Sequence, residues 1–134
     1  MDTSLQRSLT LKIRQKAFET GFDLCGFAKA GKLPLHMQKM SEWCSAGMNG
    51  SMSYLCRNLT ARSDPSLLLP EAASVIVTGL SYSTAMKQGG DGQPSISRYA
   101  YGKDYHEVVK GKLKNIISFI KSEEPSVLER AFVD

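Results

Sequence analysis

The sequence predicts a mixed α/β fold (α+β), in which a small mixed sheet is flanked by helices. Two segments carry this prediction. The run Val75–Leu80 is apolar and mostly β-branched on both faces, which is typical of an internal strand. The segment Tyr105–Ser122 has the spacing of an amphipathic helix and follows Asp104, which forms a capping box with Glu107 three residues later. Its apolar side chains recur at Val109, Leu113, Ile116, Ile117 and Ile120.

The first part of the chain predicts two helices and a strand. Leu5–Thr20 has apolar residues four apart and is followed by Gly21, which is suited to a left-handed C-cap. Leu24–Ala28 is a short apolar run, as in a buried strand. Leu35–Ala46 is the second helix, and its stripe of methionine and tryptophan indicates core packing rather than a cofactor site.

Shorter elements complete the pattern. Asp64 followed by Pro65 is a favourable N-cap and first helical position, and Pro70 limits the helix to one or two turns. Met86–Pro94 is rich in Gly, Gln and Lys, which predicts a flexible loop. Ala131–Val133 has the composition of a further strand. No internal repeat or domain boundary interrupts the sequence, so we expect one domain over residues 1–134.

Composition narrows the class of protein. The chain has 134 residues, with 42% hydrophobic and 22% charged, as in an ordinary globular domain. It has no apolar run of the roughly 20 residues that a membrane helix needs, and its start lacks the pattern of a signal peptide. We therefore expect a cytoplasmic monomer that does not bind membranes.

The positive charge is weak evidence for a nucleic-acid partner. The net charge is +4, but 17 basic residues are interspersed with 13 acidic ones. A local cluster of Lys110, Lys112, Lys114 and Lys121 coincides with the predicted last helix. We prefer to interpret this cluster as the solvated face of that helix.

The cysteines indicate neither a disulfide framework nor a metal site. Cys25, Cys44 and Cys56 are odd in number, and no two of them have the spacing of zinc or iron–sulfur ligands. We expect three reduced cysteines in or near the core, and no metal bound by this chain.

The segment Arg98–His106 is the densest in reactive side chains, with three tyrosines, two cations, an aspartate and a histidine. A helix N-terminus attracts anions, and tyrosines suit a large ring system or a base. The alternative is that Asp104 only caps the helix and that the aromatic residues only pack. Composition leaves both interpretations open.

Two further residues have a functional and a plain interpretation. Arg62 is either a surface arginine or a ligand for a carboxylate, an amide oxygen or a phosphate. Asp134 follows the predicted last strand, where open α/β sheets bind ligands. It is either an ordinary polar residue or a carboxyl group that donates a proton beside a bound cofactor.

Five segments in this order resemble the N-terminal domain of epoxyqueuosine reductase, a cobalamin-dependent enzyme of tRNA modification. They are Gly21–Phe27 (GFDLCGF), Arg62–Pro65 (RSDP), Leu67–Pro70 (LLLP), Arg98–His106 (RYAYGKDYH) and Phe132–Asp134 (FVD). The likeness covers nearly the whole chain. The combination of GKDYH with LLLP is more specific than either motif alone.

The resemblance implies a half domain like those of nitroreductase-like and cobalamin-processing proteins. It implies an oxidoreductase of queuosine biosynthesis that reduces epoxyqueuosine at the tRNA wobble position to queuosine. Its cofactors would be cobalamin and two four-iron, four-sulfur (4Fe-4S) clusters, which an electron donor reduces. Arg62, Ser97 and Asp134 fall on positions that line the cobalamin pocket in that family, and Asp134 on its proton donor.

The sequence departs from the family in one respect. The family's cluster-binding cysteines lie beyond the FVD motif, and this sequence does not contain them. We therefore expect a part of a longer enzyme that is inactive alone. Two alternatives remain open: a non-catalytic corrinoid-binding module, and a tRNA-binding accessory domain that uses the basic helix and the tyrosines.

Overall fold

The computed structural model describes residues 3–83, 96–100 and 102–133. These ranges contain four helices and two strands. In chain order they are α1 (Thr3–Glu19), β1 (Leu24–Lys29), α2 (Pro34–Ser45), α3 (Leu59–Ser63), β2 (Ser74–Gly79) and α4 (Tyr105–Glu123). Short 3-10 turns cover Ser53–Cys56, Pro65–Leu67 and Arg98–Ala100. The predicted mixed α/β class is confirmed, and the long predicted elements end within two residues of their observed bounds.

The two strands form an antiparallel pair. The Asp23 N–H donates to the Gly79 carbonyl at 2.9 Å, and the Ala30 N–H donates to the Ala73 carbonyl at 3.0 Å. The start of β1 therefore lies beside the end of β2. Within the described ranges β2 has β1 as its strand neighbour, and the Val77 side chain is 61% exposed. Within the described ranges β2 is therefore not an internal strand, contrary to the prediction.

The prediction of a further strand at Ala131–Val133 is wrong. These residues form no strand in the structure. Ala131 and Val133 instead line a groove together with Leu113 and Ile117 of α4. Composition can favour extended backbone, but a strand also needs a hydrogen-bonded neighbour, and sequence alone did not identify one. The loop predicted over Met86–Pro94 lies outside the described residues.

The chain divides into two compact units: Met1–Gly26 with Val77–Asp134, and Phe27–Ile76. That the whole chain acts as one domain remains a prediction. In the described ranges, no helix is long and apolar enough to cross a membrane.

In the first unit, α1 packs against α4. The buried side chains of this contact and its surroundings are Ile13, Ala17, Phe22 and Ile116. Since α1 and α4 are far apart in sequence, their apolar faces supply a core that neither helix could form alone.

The end of α1 is closed by a Schellman motif around Gly21. Gly21 has a φ of 89°, its N–H donates to the Phe18 carbonyl at 2.9 Å, and the Phe22 N–H donates to the Ala17 carbonyl at 3.1 Å. Lys112 of α4 completes this end of the helix. Its Nζ donates to the Thr20 carbonyl at 2.6 Å and to the Gly21 carbonyl at 3.2 Å. The predicted left-handed cap is confirmed.

In the second unit, the two ends of α2 are joined to α3 and to the 3-10 turn Ser53–Cys56, respectively. The Leu33 N–H, just before α2, donates to the Ser63 carbonyl at the end of α3 at 3.0 Å. Near the other end of α2, Cys44 forms a disulfide with Cys56, with a Cα–Cα distance of 5.8 Å. The expectation of three reduced cysteines is therefore wrong for this pair.

The reason lies in the loop that separates the two cysteines. Gly47 and Gly50 have φ values of 68° and 53°, so the backbone turns back on itself after α2. The 3-10 turn Ser53–Cys56 then places Cys56 beside the last turn of α2. A separation of 12 residues matches no metal-ligand or redox motif, so no sequence pattern identified this pair.

Gly21→Ala should destabilise the protein by about 1–2 kcal/mol, because a side chain at this φ is strained. The new Cβ would also lie 2.5 Å from the Lys112 Nζ and displace it from its carbonyl partners. Urea denaturation measures the change. Gly111→Ala is the matched control: it lies within α4, its new Cβ meets no atom within 4 Å, and it should stabilise by about 0.5–1 kcal/mol. Equal effects of the two substitutions would contradict this account of the cap.

Cys44→Ser should lower the free energy of unfolding of the oxidised protein by about 3 kcal/mol, the value expected for a closed loop of this length. The difference from the wild type should disappear in excess dithiothreitol. Cys25→Ser, which removes a free thiol, is the control. Alkylation of three cysteines in unfolded, non-reduced protein would show that the disulfide is absent.

Candidate functional site

The predicted helix cap at Asp104 forms, but with a different partner from the one expected. Asp104 Oδ1 accepts a hydrogen bond from the His106 N–H at 2.9 Å and lies 2.9 Å from His106 Nδ1. Glu107, the expected second half of a capping box, lies 3.7 Å from Lys110 instead. The backbone N–H and the ring of His106 hold the pKa of the Asp104 carboxyl below its usual value. The first turn of α4 thus carries a fixed carboxylate–imidazole pair.

Three tyrosines and this histidine form a continuous row of rings. The Tyr82 and Tyr99 centroids are 6.4 Å apart, and the Tyr99 and Tyr105 centroids are 6.1 Å apart, both edge to face. Tyr105 stacks on His106 at 4.1 Å. Sequence reasoning identified Tyr99, Tyr105 and His106 but missed Tyr82, which lies just after β2. The only sequence feature that pointed to Tyr82 was the position of an aromatic residue just after a strand. Tyr101 lies outside the described residues.

The Tyr82 end of the row is anchored by Asp23. The Asp23 carboxylate accepts a hydrogen bond from the Ser81 N–H at 2.6 Å, while the Asp23 N–H donates to Gly79. The backbone that leaves β2 is therefore tied to the residue that precedes β1. Sequence reasoning did not identify this role of Asp23, since a contact across 58 residues leaves no local pattern.

Ser97 lies in the same compact unit as the aromatic row. It is exposed, and its carbonyl accepts a hydrogen bond from the Ala100 N–H at 2.9 Å, which closes the turn that carries Tyr99. Asp134 lies outside the described residues. The structure thus brings Ser97 close in the chain to Tyr99, but it does not describe the residue predicted to be the acid.

Arg62 belongs to the second unit, Phe27–Ile76. It lies in α3, and its side chain is exposed. The residues after it are held locally, because Asp64 accepts hydrogen bonds from the Ser66 Oγ at 2.7 Å and the Ser66 N–H at 2.9 Å. These bonds lower the pKa of the Asp64 carboxyl. The predicted N-cap at Asp64 is confirmed, and Arg62 is presented on an ordered helix.

Most of the basic cluster on α4 has partners within the chain. Lys110 lies 3.7 Å from Glu107, and Lys121 lies 2.8 Å from Glu129. Lys112 binds the end of α1. These contacts favour a structural role for this helix face over a phosphate-binding role.

Cys25 is a free cysteine in β1. Burial raises the pKa of its thiol, and the charge of Arg14 acts in the opposite direction. A raised pKa keeps the sulfur protonated near neutral pH, so this thiol is a poor nucleophile.

Arg62 and Ser97, each within its own unit, carry hydrogen-bond donors of the kind that suits a large ring rimmed with amides, such as a corrin. An arginine offers five N–H donors and a serine one O–H donor, and both side chains are exposed. Such groups suit the carbonyl oxygens of peripheral amides.

Comparison with known proteins gives a consistent result. The family model described as epoxyqueuosine reductase QueG, DUF1730 matches residues 62–134. The epoxyqueuosine reductase of Cellulophaga algicola is 43% identical over 122 residues, which are 91% of this chain and 40% of that protein. The enzyme of Leadbetterella byssophila is 37% identical over 129 residues, 96% of this chain and 42% of that protein.

Solved structures agree with these sequence matches. One is an epoxyqueuosine reductase with an epoxyqueuosine-modified stem loop of tRNA-Tyr, with a TM-score of 0.75 and 28% identity over 89% of this chain and 32% of that one. Another, from Bacillus subtilis, has an aspartate catalytic loop swung out of the active site. Its TM-score is 0.73, with 28% identity over 90% of this chain and 33% of that one.

The chain spans about two fifths of the length of the curated relatives it matches. The family match covers more than half of the chain, and four of the five motifs that carry the resemblance lie inside it. The chain therefore belongs to the epoxyqueuosine reductase family.

Proposed function

We propose that this chain is the N-terminal, cobalamin-binding part of an epoxyqueuosine reductase, which reduces epoxyqueuosine in tRNA to queuosine. The observation that carries the proposal is the 43% identity to a relative of that name over 91% of the chain. Because the chain spans only part of that relative, we propose the reaction for the complete enzyme and expect this chain alone to be inactive.

Two cofactors are part of this proposal. Cobalamin would be held through Arg62 and Ser97, whose exposed donors suit its peripheral amides. When bound, it supplies reducing chemistry at the substrate. We propose that the 4Fe-4S clusters, and the surface that contacts an electron donor, lie in the part of the enzyme that this chain does not span.

Asp134 is the proposed acid and a third contact to the cofactor. Reduction of an epoxide to an alkene consumes two electrons and two protons and releases the oxygen as water. A carboxyl group beside that oxygen donates one of these protons. The proposal is supported by the FVD motif and by the aspartate catalytic loop of the Bacillus subtilis relative.

The proposed partner is tRNA that carries epoxyqueuosine in its anticodon loop. A structurally similar relative binds such a stem loop, and the net charge of +4 is compatible with RNA. We place the enzyme in the cytoplasm as a monomer that does not bind membranes.

Arg62→Ala should weaken cobalamin binding about 10- to 150-fold, since a hydrogen bond from a charged group contributes about 1.5–3 kcal/mol. Visible absorbance during titration of the chain with hydroxocobalamin measures the affinity. Arg57→Ala, which removes another exposed arginine of the same unit, should leave it unchanged. Equal cobalamin affinities of the Arg62 variant and the wild type would show that Arg62 does not bind the cofactor.

Asp134→Asn should lower the rate of epoxyqueuosine reduction about 10²- to 10⁴-fold, the usual contribution of a general acid. The measurement uses this chain joined to the remaining length of the Cellulophaga algicola enzyme, with queuosine in tRNA quantified by mass spectrometry. Asparagine keeps the size and polarity of the side chain, so cobalamin binding should persist. A fully active Asp134→Asn chimera would show that the proton comes from another group.

A further inference from the structure

We propose that Tyr82 and Tyr99 form a stacking platform for an unpaired base of RNA. This inference rests on the proposed function, because it names the surface with which the chain would contact its tRNA. It adds Tyr82, which no sequence motif identified, and it gives the aromatic row a ligand of defined chemistry.

The exposure of the two rings is the first observation. The Tyr82 side chain is 65% exposed and that of Tyr99 is 53% exposed, although they contact each other. Their interplanar angle is 80°, so the edge of one ring meets the face of the other. An edge-to-face contact does not stack the two faces on each other, and ring surface stays available to a flat ligand.

Both ends of the row are fixed, which is the second observation. The Asp23 carboxylate holds the Ser81 N–H next to Tyr82. At the other end, Tyr105 lies in the first turn of α4 and is stacked on His106. The backbone N–H and the ring of His106 are hydrogen-bonded to Asp104. A tyrosine that is already ordered loses little conformational entropy when it binds, so it is an effective contact for a ligand.

A nucleobase fits this platform better than a corrin does. A base is flat and aromatic, and base–aromatic stacking is the usual way in which proteins hold single-stranded nucleic acid. A corrin has saturated carbons and amide arms at its rim, for which hydrogen-bond donors matter more than ring faces. The stem loop bound by the structurally similar relative contains a loop, where bases are free to stack on protein.

The test is the binding of a fluorescently labelled tRNA-Tyr anticodon stem loop to the chain, followed by anisotropy at several salt concentrations. Tyr82→Leu and Tyr99→Leu should each weaken binding about 5- to 150-fold, the range for loss of one base–aromatic stack. Tyr82→Phe and Tyr99→Phe should bind like the wild type. Tyr54→Leu, at a tyrosine that is 56% exposed in the other unit, is the control and should bind normally.

Stacking also predicts an unchanged slope of log affinity against log salt, because no phosphate contact is lost. Hydroxocobalamin titration of the same variants should be unchanged. RNA affinity that is insensitive to the leucine substitutions would overturn the platform and leave the proposed function intact. Loss of cobalamin binding with normal RNA binding would also overturn it, in favour of a corrin contact. Failure of the wild type to bind RNA would overturn both the platform and the tRNA partner.

A second measurement covers the case in which the leucine variants do not fold. In a Trp43→Phe background, Tyr99→Trp introduces the only tryptophan of the chain. Its fluorescence should be quenched when the stem loop is added, since a base would stack on it. An unchanged emission spectrum at saturating RNA would contradict the proposal.

Discussion

The junction between the end of α1 and the middle of α4 is the contact on which the first unit depends. The last carbonyls of a helix have no hydrogen-bond donors within the helix. At the end of α1 the donors are the N–H groups of Gly21 and Phe22 and the Nζ of Lys112. Gly21 and Phe22 also lead the chain into β1, where Phe22 is buried and Asp23 starts the pairing with β2. Lys112 lies 5.8 Å from the centre of the Phe22 ring, so its charge also faces an aromatic surface. One junction thus joins α1 and α4 where the chain enters β1.

The residues of the candidate site are positioned by hydrogen bonds that connect them to this junction and to α4. Asp23 is fixed by the junction on one side and holds the backbone before Tyr82 on the other. Asp104 fixes the first turn of α4, the helix that packs against α1. The aromatic row therefore runs between two hydrogen-bonded anchors, although both anchors are at the surface. This is the arrangement expected of a binding surface, in which exposed side chains are positioned by ordered backbone.

The second unit fixes Arg62 by different means. Its short helix α3 could not be stable alone. It is held against α2 by the Leu33–Ser63 hydrogen bond, and the preceding turn is joined to the end of α2 by the disulfide. Asp64 and Ser66 then define where the helix stops. An exposed arginine on such a segment has little freedom of backbone, which suits recognition of a carbonyl or a carboxylate.

The sequence by itself determined the elements whose signals are local. Helical spacing predicted α1 and α4, a short apolar run predicted β1, and a β-branched run predicted β2. Gly21 predicted the cap of α1, and the order of the motifs predicted the family. Tertiary structure decided what depends on contacts between distant residues: the partner of Lys112, the anchoring of Ser81 by Asp23, the Cys44–Cys56 pair and the place of Tyr82 in the row. It also showed that Ala131–Val133 lies along α4 rather than in a sheet. The physical reason is the same in each case, since propensity acts over a few neighbouring residues whereas pairing and packing depend on where the chain returns.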